Sequence, residues 1–171
     1  MNIRATDPDD RQAIKDLYLQ AFDPSEAETV SSLALELASD ESALSIAADD
    51  GGLIGHVTFS PVMSKARGER IGLILAPLAV HPEHQKKGIG SQLTQAGLDY
   101  AKQENLPMVF VYGDPAYYGR FGFTVEAAEG FTPPCPLQYP QGWQAVRLSS
   151  ESQQAACPIT CVDALNDPSL W

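Results

Sequence analysis

Cysteine, histidine and positive charge are all scarce in this sequence. Its 171 residues include three cysteines, three histidines and 11 Lys and Arg, against 22 Asp and Glu. Three cysteines (Cys135, Cys157 and Cys161) cannot all pair, and no Cys/His cluster has metal-ligand spacing. A reducing, cytoplasmic setting without a metal is therefore expected. The net charge of −11 argues against nucleic acid as a partner, because binding its backbone takes clustered Lys and Arg. No apolar run approaches the ~20 residues that span a bilayer, so no membrane partner is expected. The first ten residues, with Asp7, Asp9 and Asp10, are too acidic for a signal peptide. Low-complexity tracts and internal repeats are also missing. With 44% hydrophobic residues, the chain reads as one globular domain over residues 1–171.

The charge is unevenly spread. Residues 1–50 carry a net −9, residues 51–123 a net +2 and residues 124–171 a net −4. A basic middle in an acidic chain suits an anionic ligand, and the acidic outer parts suit a cationic one. A solvated acidic surface with no ligand is the alternative.

Periodicity separates helices from strands. Residues 2–5 suit a short first strand. Asp7-Pro8 reads as an N-cap followed by proline at the first helical position. Ile14, Leu17, Tyr18, Ala21 and Phe22 then share one helical face, and after Asp23-Pro24 so do Val30, Leu33, Ala34, Leu37 and Ala38. Alternation at Leu44, Ile46 and Ala48, turn residues 49–52 and alternation at Leu53, Gly55, Val57 and Phe59 predict a β-hairpin. The run 71–80 is apolar on both faces, as in a buried central strand. A helix follows over Ile89–Ala101, then a strand at Met108–Tyr112, a short helix from Asp114-Pro115 and a strand at Trp143–Leu148. The order predicts a mixed α/β sheet, mostly antiparallel at first.

Three features carry chemistry. Pro77 lies inside the most apolar strand and has no N–H, so the strand must bulge or part from a neighbour there, unless it is an edge. A parted strand can pair with the amides of a linear ligand. Gln85-Lys86-Lys87-Gly88-Ile89-Gly90-Ser91 opens the next helix. Its glycines allow close backbone approach, and the helix N-terminus suits a phosphate. It is neither a Walker A loop nor a full dinucleotide fingerprint, and by itself it could be a plain turn. Residues 114–123 hold Tyr117, Tyr118, Phe121 and Phe123. They read as core aromatics, or as a cluster with one tyrosine hydroxyl turned into a cleft.

In this order, strand Leu78-Ala79-Val80, loop Gln85-x-x-Gly88-x-Gly90 and segment Tyr118-x-Arg120-Phe121-Gly122-Phe123 resemble the GNAT superfamily of acetyl-CoA-dependent N-acetyltransferases. The resemblance covers residues 2–126, with 127–171 less diagnostic. With Gly55-His56-Val57 and Gly113–Tyr118 included, the chain looks most like the YhbS-like group.

The resemblance implies a GNAT fold: a central, mostly antiparallel sheet splayed at strand 71–80, with helices on both faces. It also implies acetyl-CoA as cosubstrate and a small-molecule or peptide amine as acceptor. A monomer and a homodimer both suit the sequence. Main-chain groups of Leu78, Ala79 and Val80 would hold the pantetheine arm. Gln85, Lys86, Lys87, Gly88, Ile89, Gly90 and Ser91 would hold the pyrophosphate. Tyr118 matches the position of the family's tyrosine general acid, and Tyr117 is one residue off. Family enzymes often place a Glu or His base on the central strand, but the matching Ile74 and Ala76 cannot take a proton. His56 is a candidate base on the neighbouring strand. Glu26 and Glu28, between the first two helices, are candidate acceptor-binding residues. The alternative is a module of the same fold that binds acyl-CoA without turnover.

Overall fold

The computed structural model describes residues 1–150 and 154–171. Its strands follow the order β1 (Asn2–Ala5), β2 (Leu44–Asp49), β3 (Leu53–Ser64), β4 (Arg70–Val80), β5 (Met108–Tyr112), β6 (Trp143–Arg147), and a short β7 (Ile159–Thr160) pairs with β3. The chain divides into two compact units, Met1–Phe59 with Ala76–Gly97 and Ser60–Leu75 with Leu98–Trp171.

In the first unit, β1 (Asn2–Ala5) pairs antiparallel with β2 (Leu44–Asp49), which pairs antiparallel with β3 (Leu53–Ser64). Between them come α1 (Arg11–Ala21) and α2 (Pro24–Ala38). The predicted start at Asp7-Pro8 is a 3-10 turn that leads into α1. Asp7 and Asp10 form a reciprocal capping box there. Asp10 also receives a two-pronged hydrogen bond from Arg4 at 2.7 and 2.8 Å, and Arg4 reaches Asp49 at 2.9 Å. This ties β1, the turn and β2 together. Arg4 holds the Asp10 carboxyl below the usual carboxylate range. Ile14, Leu17, Tyr18 and Ala34 bury the helical stripe against Ala79.

The structure moves Glu26 and Glu28. The sequence suggests a break between two helices there, but Asp23 caps α2 by accepting from Ser25 N at 3.0 Å and Pro24 opens it. Both glutamates sit exposed in the first turns of that helix.

The apolar strand is β4 (Arg70–Val80), followed by α3 (Ile89–Gln103). α3 packs against β3 where glycine removes bulk. A Cβ on Gly97 would lie 2.0 Å from Phe59, and one on Gly55 would lie 2.9 Å from Ile89. Gly55 and Phe59 share one face of β3 and His56 shares the other with α1, so the two helices cover opposite faces.

In the second unit, β5 (Met108–Tyr112) runs parallel to β4 and antiparallel to β6 (Trp143–Arg147). The short helices α4 (Pro115–Tyr118) and α5 (Val125–Ala128) lie between these strands, and β7 (Ile159–Thr160) follows. Phe131, Trp143 and Trp171 build an aromatic core with Phe110 of β5. Phe110 stacks on Trp143 at 5.3 Å, and Trp143 meets Trp171 at 5.8 Å. Each indole N–H finds a carbonyl: Trp143 donates to Phe131 O and Trp171 to Leu165 O.

Candidate active site

The register of β4 with β5 runs from Gly72↔Met108 to Leu75↔Val111 and goes no further. Pro77 follows two residues later, and its Ala76–Pro77 peptide is cis. The strand therefore parts where the sequence expected it to. Beyond Pro77, Ala79 is buried against α1, while Leu78 and Val80 are half-buried. Alternation directs these two side chains to the face away from α1.

A 3-10 turn, Pro82–His84, then leads into the loop, with the His81 ring accepting from Glu83 N. The Gln85 side chain donates to Val80 O at 3.1 Å, folding the loop back onto the end of β4. Two residues take the left-handed backbone conformation, Lys86 at φ 61° and Gly88 at φ 82°. Left-handed residues in a turn bring successive N–H groups to one concave side. The N–H groups of Ile89, Gly90 and Ser91 have no acceptor within their own helix. A Cβ placed on Gly88 would meet nothing within 4 Å, so there is room in front of this backbone. Lys86 and Lys87 are exposed beside it. Main-chain N–H groups and two lysines so arranged are chemically able to receive a multiply charged anion such as a pyrophosphate. Ile89 anchors its far end at Gly55.

In the second unit, Asp114 caps α4 by accepting from Ala116 N at 2.9 Å. The α4 turn separates the two tyrosines. Tyr118 lies flat on Gly113, where a Cβ would stand 2.6 Å from its ring, and meets Phe123 edge to face at 5.8 Å. Burial pushes its phenol above the ordinary value, so it keeps its proton throughout the neutral range. Tyr117 packs instead beneath the Arg120 guanidinium at 4.5 Å and against Phe121 at 5.6 Å. A held, protonated phenol is equipped to give a proton to a leaving thiolate.

On the other side of the Gly113 turn is a cavity of about 300 Å³ lined mainly by apolar surface. Tyr112, Gly113, Pro115, Tyr139 and Gly142 are among the residues that line it. No sequence motif marks it, because Tyr112 and Tyr139 lie 27 residues apart and meet through the Tyr139 N–H, which donates to the Tyr112 hydroxyl at 2.9 Å.

His56 is fully buried. Its Nδ1 is 3.0 Å from the Tyr18 hydroxyl and its Nε2 is 2.8 Å from Ser45 Oγ. Burial lowers its pKa to about 4. A ring so enclosed, with both nitrogens engaged, has no free position from which to touch an amine. The sequence had marked Tyr18 only as one of the apolar residues of α1.

Residues 11–123 match the family model described as Acetyltransferase (GNAT) family. Escherichia coli K12 contains a protein described as uncharacterized N-acetyltransferase YjhQ. It is 34% identical over 164 residues, which cover 92% of this chain and 90% of that one. The crystal structure of the GNAT family N-acetyltransferase YhbS from E. coli, in complex with CoA, superimposes with a TM-score of 0.83 at 30% identity, covering 97% of this chain and 92% of that one. A GNAT family acetyltransferase from Brucella melitensis, in complex with acetyl-CoA, gives 0.69 at 26% identity, covering 95% and 96%.

Proposed function

Because the chain belongs to the GNAT acetyltransferase family and is an acyltransferase, we propose that it moves an acetyl group from acetyl-CoA to a primary amine by direct attack in a ternary complex. The observation that carries this reading is the Gln85–Ser91 cradle, which directly follows the end of β4 that β5 does not pair. A pyrophosphate on the loop N–H groups, with Lys86 and Lys87 beside it, lets the linear arm run back along Leu78, Ala79 and Val80. These residues then take the place of a missing strand. The CoA and acetyl-CoA complexes of the YhbS and Brucella proteins support the same choice of cosubstrate.

In the reaction, the neutral amine attacks the thioester carbonyl and a C–N bond forms. The C–S bond then breaks as Tyr118 gives its proton to the departing sulfur, and the proton that the newly acylated nitrogen releases passes through water to restore the Tyr118 phenol. Main-chain N–H groups at the parted strand orient the carbonyl oxygen, and proximity supplies much of the rate. No side chain from Ile71 to Val80 is ionisable, so the proton of the acceptor ammonium leaves to water. Glu26 and Glu28 belong to the acidic first fifty residues, which favour a cationic amine.

Initial-rate kinetics of thiol release over a panel of amines tests the proposal. Intersecting double-reciprocal lines are expected for direct attack. Parallel lines would indicate an acetyl-enzyme instead, and CoA binding without turnover of any amine would favour a binding module.

A further inference from the structure

Five residues far apart in the chain form one line of hydrogen bonds in the first unit. The Thr6 hydroxyl donates to Ser45 Oγ at 2.7 Å. Ser45 Oγ is 2.8 Å from His56 Nε2, and His56 Nδ1 is 3.0 Å from the Tyr18 hydroxyl. The Tyr18 hydroxyl donates to Pro77 O at 3.2 Å, with His56 O at 3.4 Å. The direction of the line follows from what each group can give. Thr6 donates into Ser45 Oγ, so we assign the Ser45 proton to His56 Nε2; Nδ1 then carries the ring proton and donates to the Tyr18 hydroxyl, whose own proton is left for a carbonyl. In the reverse sense Tyr18 would donate to Nδ1, and the carbonyl of buried Pro77 would lose this donor.

Pro77 and Tyr18 are complementary. A strand residue with no N–H leaves a gap in the bonding between neighbouring strands, and the Tyr18 hydroxyl stands in that gap between two carbonyls. Its position has a further effect. The Pro77–Leu78 peptide is trans and planar, so Pro77 C=O and Leu78 N–H point in opposite directions. Holding the carbonyl towards Tyr18 turns the Leu78 N–H away from α1.

We propose that Tyr18, oriented by His56, is a positioning residue that aims the Leu78 N–H at the acyl-CoA arm. The proposal rests on the acyl-CoA reading above. It also gives His56 a different part from that of a base: its neutral ring fixes which way the tyrosine proton points.

The test measures CoA affinity by calorimetry, together with kcat and both KM values, for Tyr18→Phe, His56→Asn and His56→Gln. Asparagine places a donor where Nδ1 was and keeps the contact to Tyr18, whereas glutamine reaches only the Nε2 position. Tyr18→Phe and His56→Gln are expected to weaken CoA binding about tenfold, the effect of one neutral hydrogen bond. His56→Asn is expected to fall between them and the wild type. KM for acetyl-CoA should rise while KM for the amine stays constant, and the Leu78 amide resonance should move in Tyr18→Phe. A role confined to stability would lower Tm without this split. Folded Tyr18→Phe that binds CoA like the wild type would overturn the proposal. If Tyr18→Phe does not fold, the ranking of His56→Asn above His56→Gln decides, and equal affinities overturn it. A wild-type protein that does not bind CoA would overturn the acyl-CoA reading itself, a result distinct from wild-type binding that the variants leave unchanged.

Discussion

Acidification should destabilise the protein through His56 before it reaches the carboxylates. An unfolded histidine takes up its proton near pH 6.5, but in the folded chain burial holds the His56 pKa down at about 4. Between these two values the unfolded state binds a proton that the folded state refuses, so stability falls as pH falls. It is unaffected by this group above about pH 6.5, and the loss is complete below about pH 4. A gap of about 2.5 pH units at about 1.36 kcal/mol each gives a loss of about 3 kcal/mol. That is a large part of the ~5–15 kcal/mol stability of a typical domain. Asp10, held low by Arg4, acts in a lower window. Its contribution is present above the ordinary carboxylate pKa and disappears as pH falls beneath it. Urea unfolding of wild type and His56→Asn from about pH 7.5 to about pH 4.5 isolates the histidine, because groups that do not interact with it cancel in the difference and Asp10, which does, is held below the usual carboxylate range. The two stability curves should converge as pH falls, and the His56 ring protons should stay at their neutral NMR positions until about pH 4. Parallel curves, or a His56 titration near 6.5, would refute the account of a buried neutral ring.

Four other outcomes are expected. Gly88→Glu forces a side chain onto a residue at φ 82° and sets negative charge against the cradle. It should abolish the acetyl-CoA stabilisation seen by thermal shift, about 2.7 kcal/mol at 100 Kd for an intact site. Tyr118→Phe should lower kcat by about 10²–10⁴ with little change in CoA affinity, whereas Tyr117→Phe should keep most activity; the reverse order would point to Tyr117. The rate with a lysine-like amine should climb from neutral pH into the alkaline range, because such an amine is largely neutral only near its pKa of ~10.4, and a flat profile would reveal an unrecognised base. Gly97→Ala places a Cβ 2.0 Å from the Phe59 ring and should cost about 1–3 kcal/mol in denaturant unfolding by overpacking the α3–β3 contact.

The elements that the sequence revealed well are those fixed by local chemistry. β5 matches its predicted limits, Met108–Tyr112, because Pro107 precedes a short apolar run and Gly113 follows it. α4 starts where Asp114-Pro115 places a cap and a first helical residue. β3 continues to Ser64, beyond the predicted Phe59, because its last residues pair with β7, a strand of two residues with no periodicity of its own. α5 is a single turn capped by Thr124 and too short to show a helical stripe. The loop and the tyrosine segment were readable for the same reason as α4: each is a continuous run of fewer than a dozen residues.

The Tyr18 line lacks that continuity. It joins residues 6, 45, 56, 18 and 77, and each has a sufficient local reading of its own. Tyr18 fits the apolar face of α1, and in the structure it is fully buried among Ile14, Leu17 and Ala34. A buried tyrosine still carries a hydroxyl that needs a partner. The sequence therefore poses the need without giving its address. Pro77 poses the opposite one, a strand position with a carbonyl and no N–H. Neither residue is unusual by itself, and only the register of β3 beside β4, with α1 lying over them, brings the spare donor to the gap. The same placement explains why a strand with no ionisable side chain from Ile71 to Val80 can still be specialised. Its useful groups are main-chain ones, and their direction is set by a hydroxyl contributed from a helix almost sixty residues earlier in the chain.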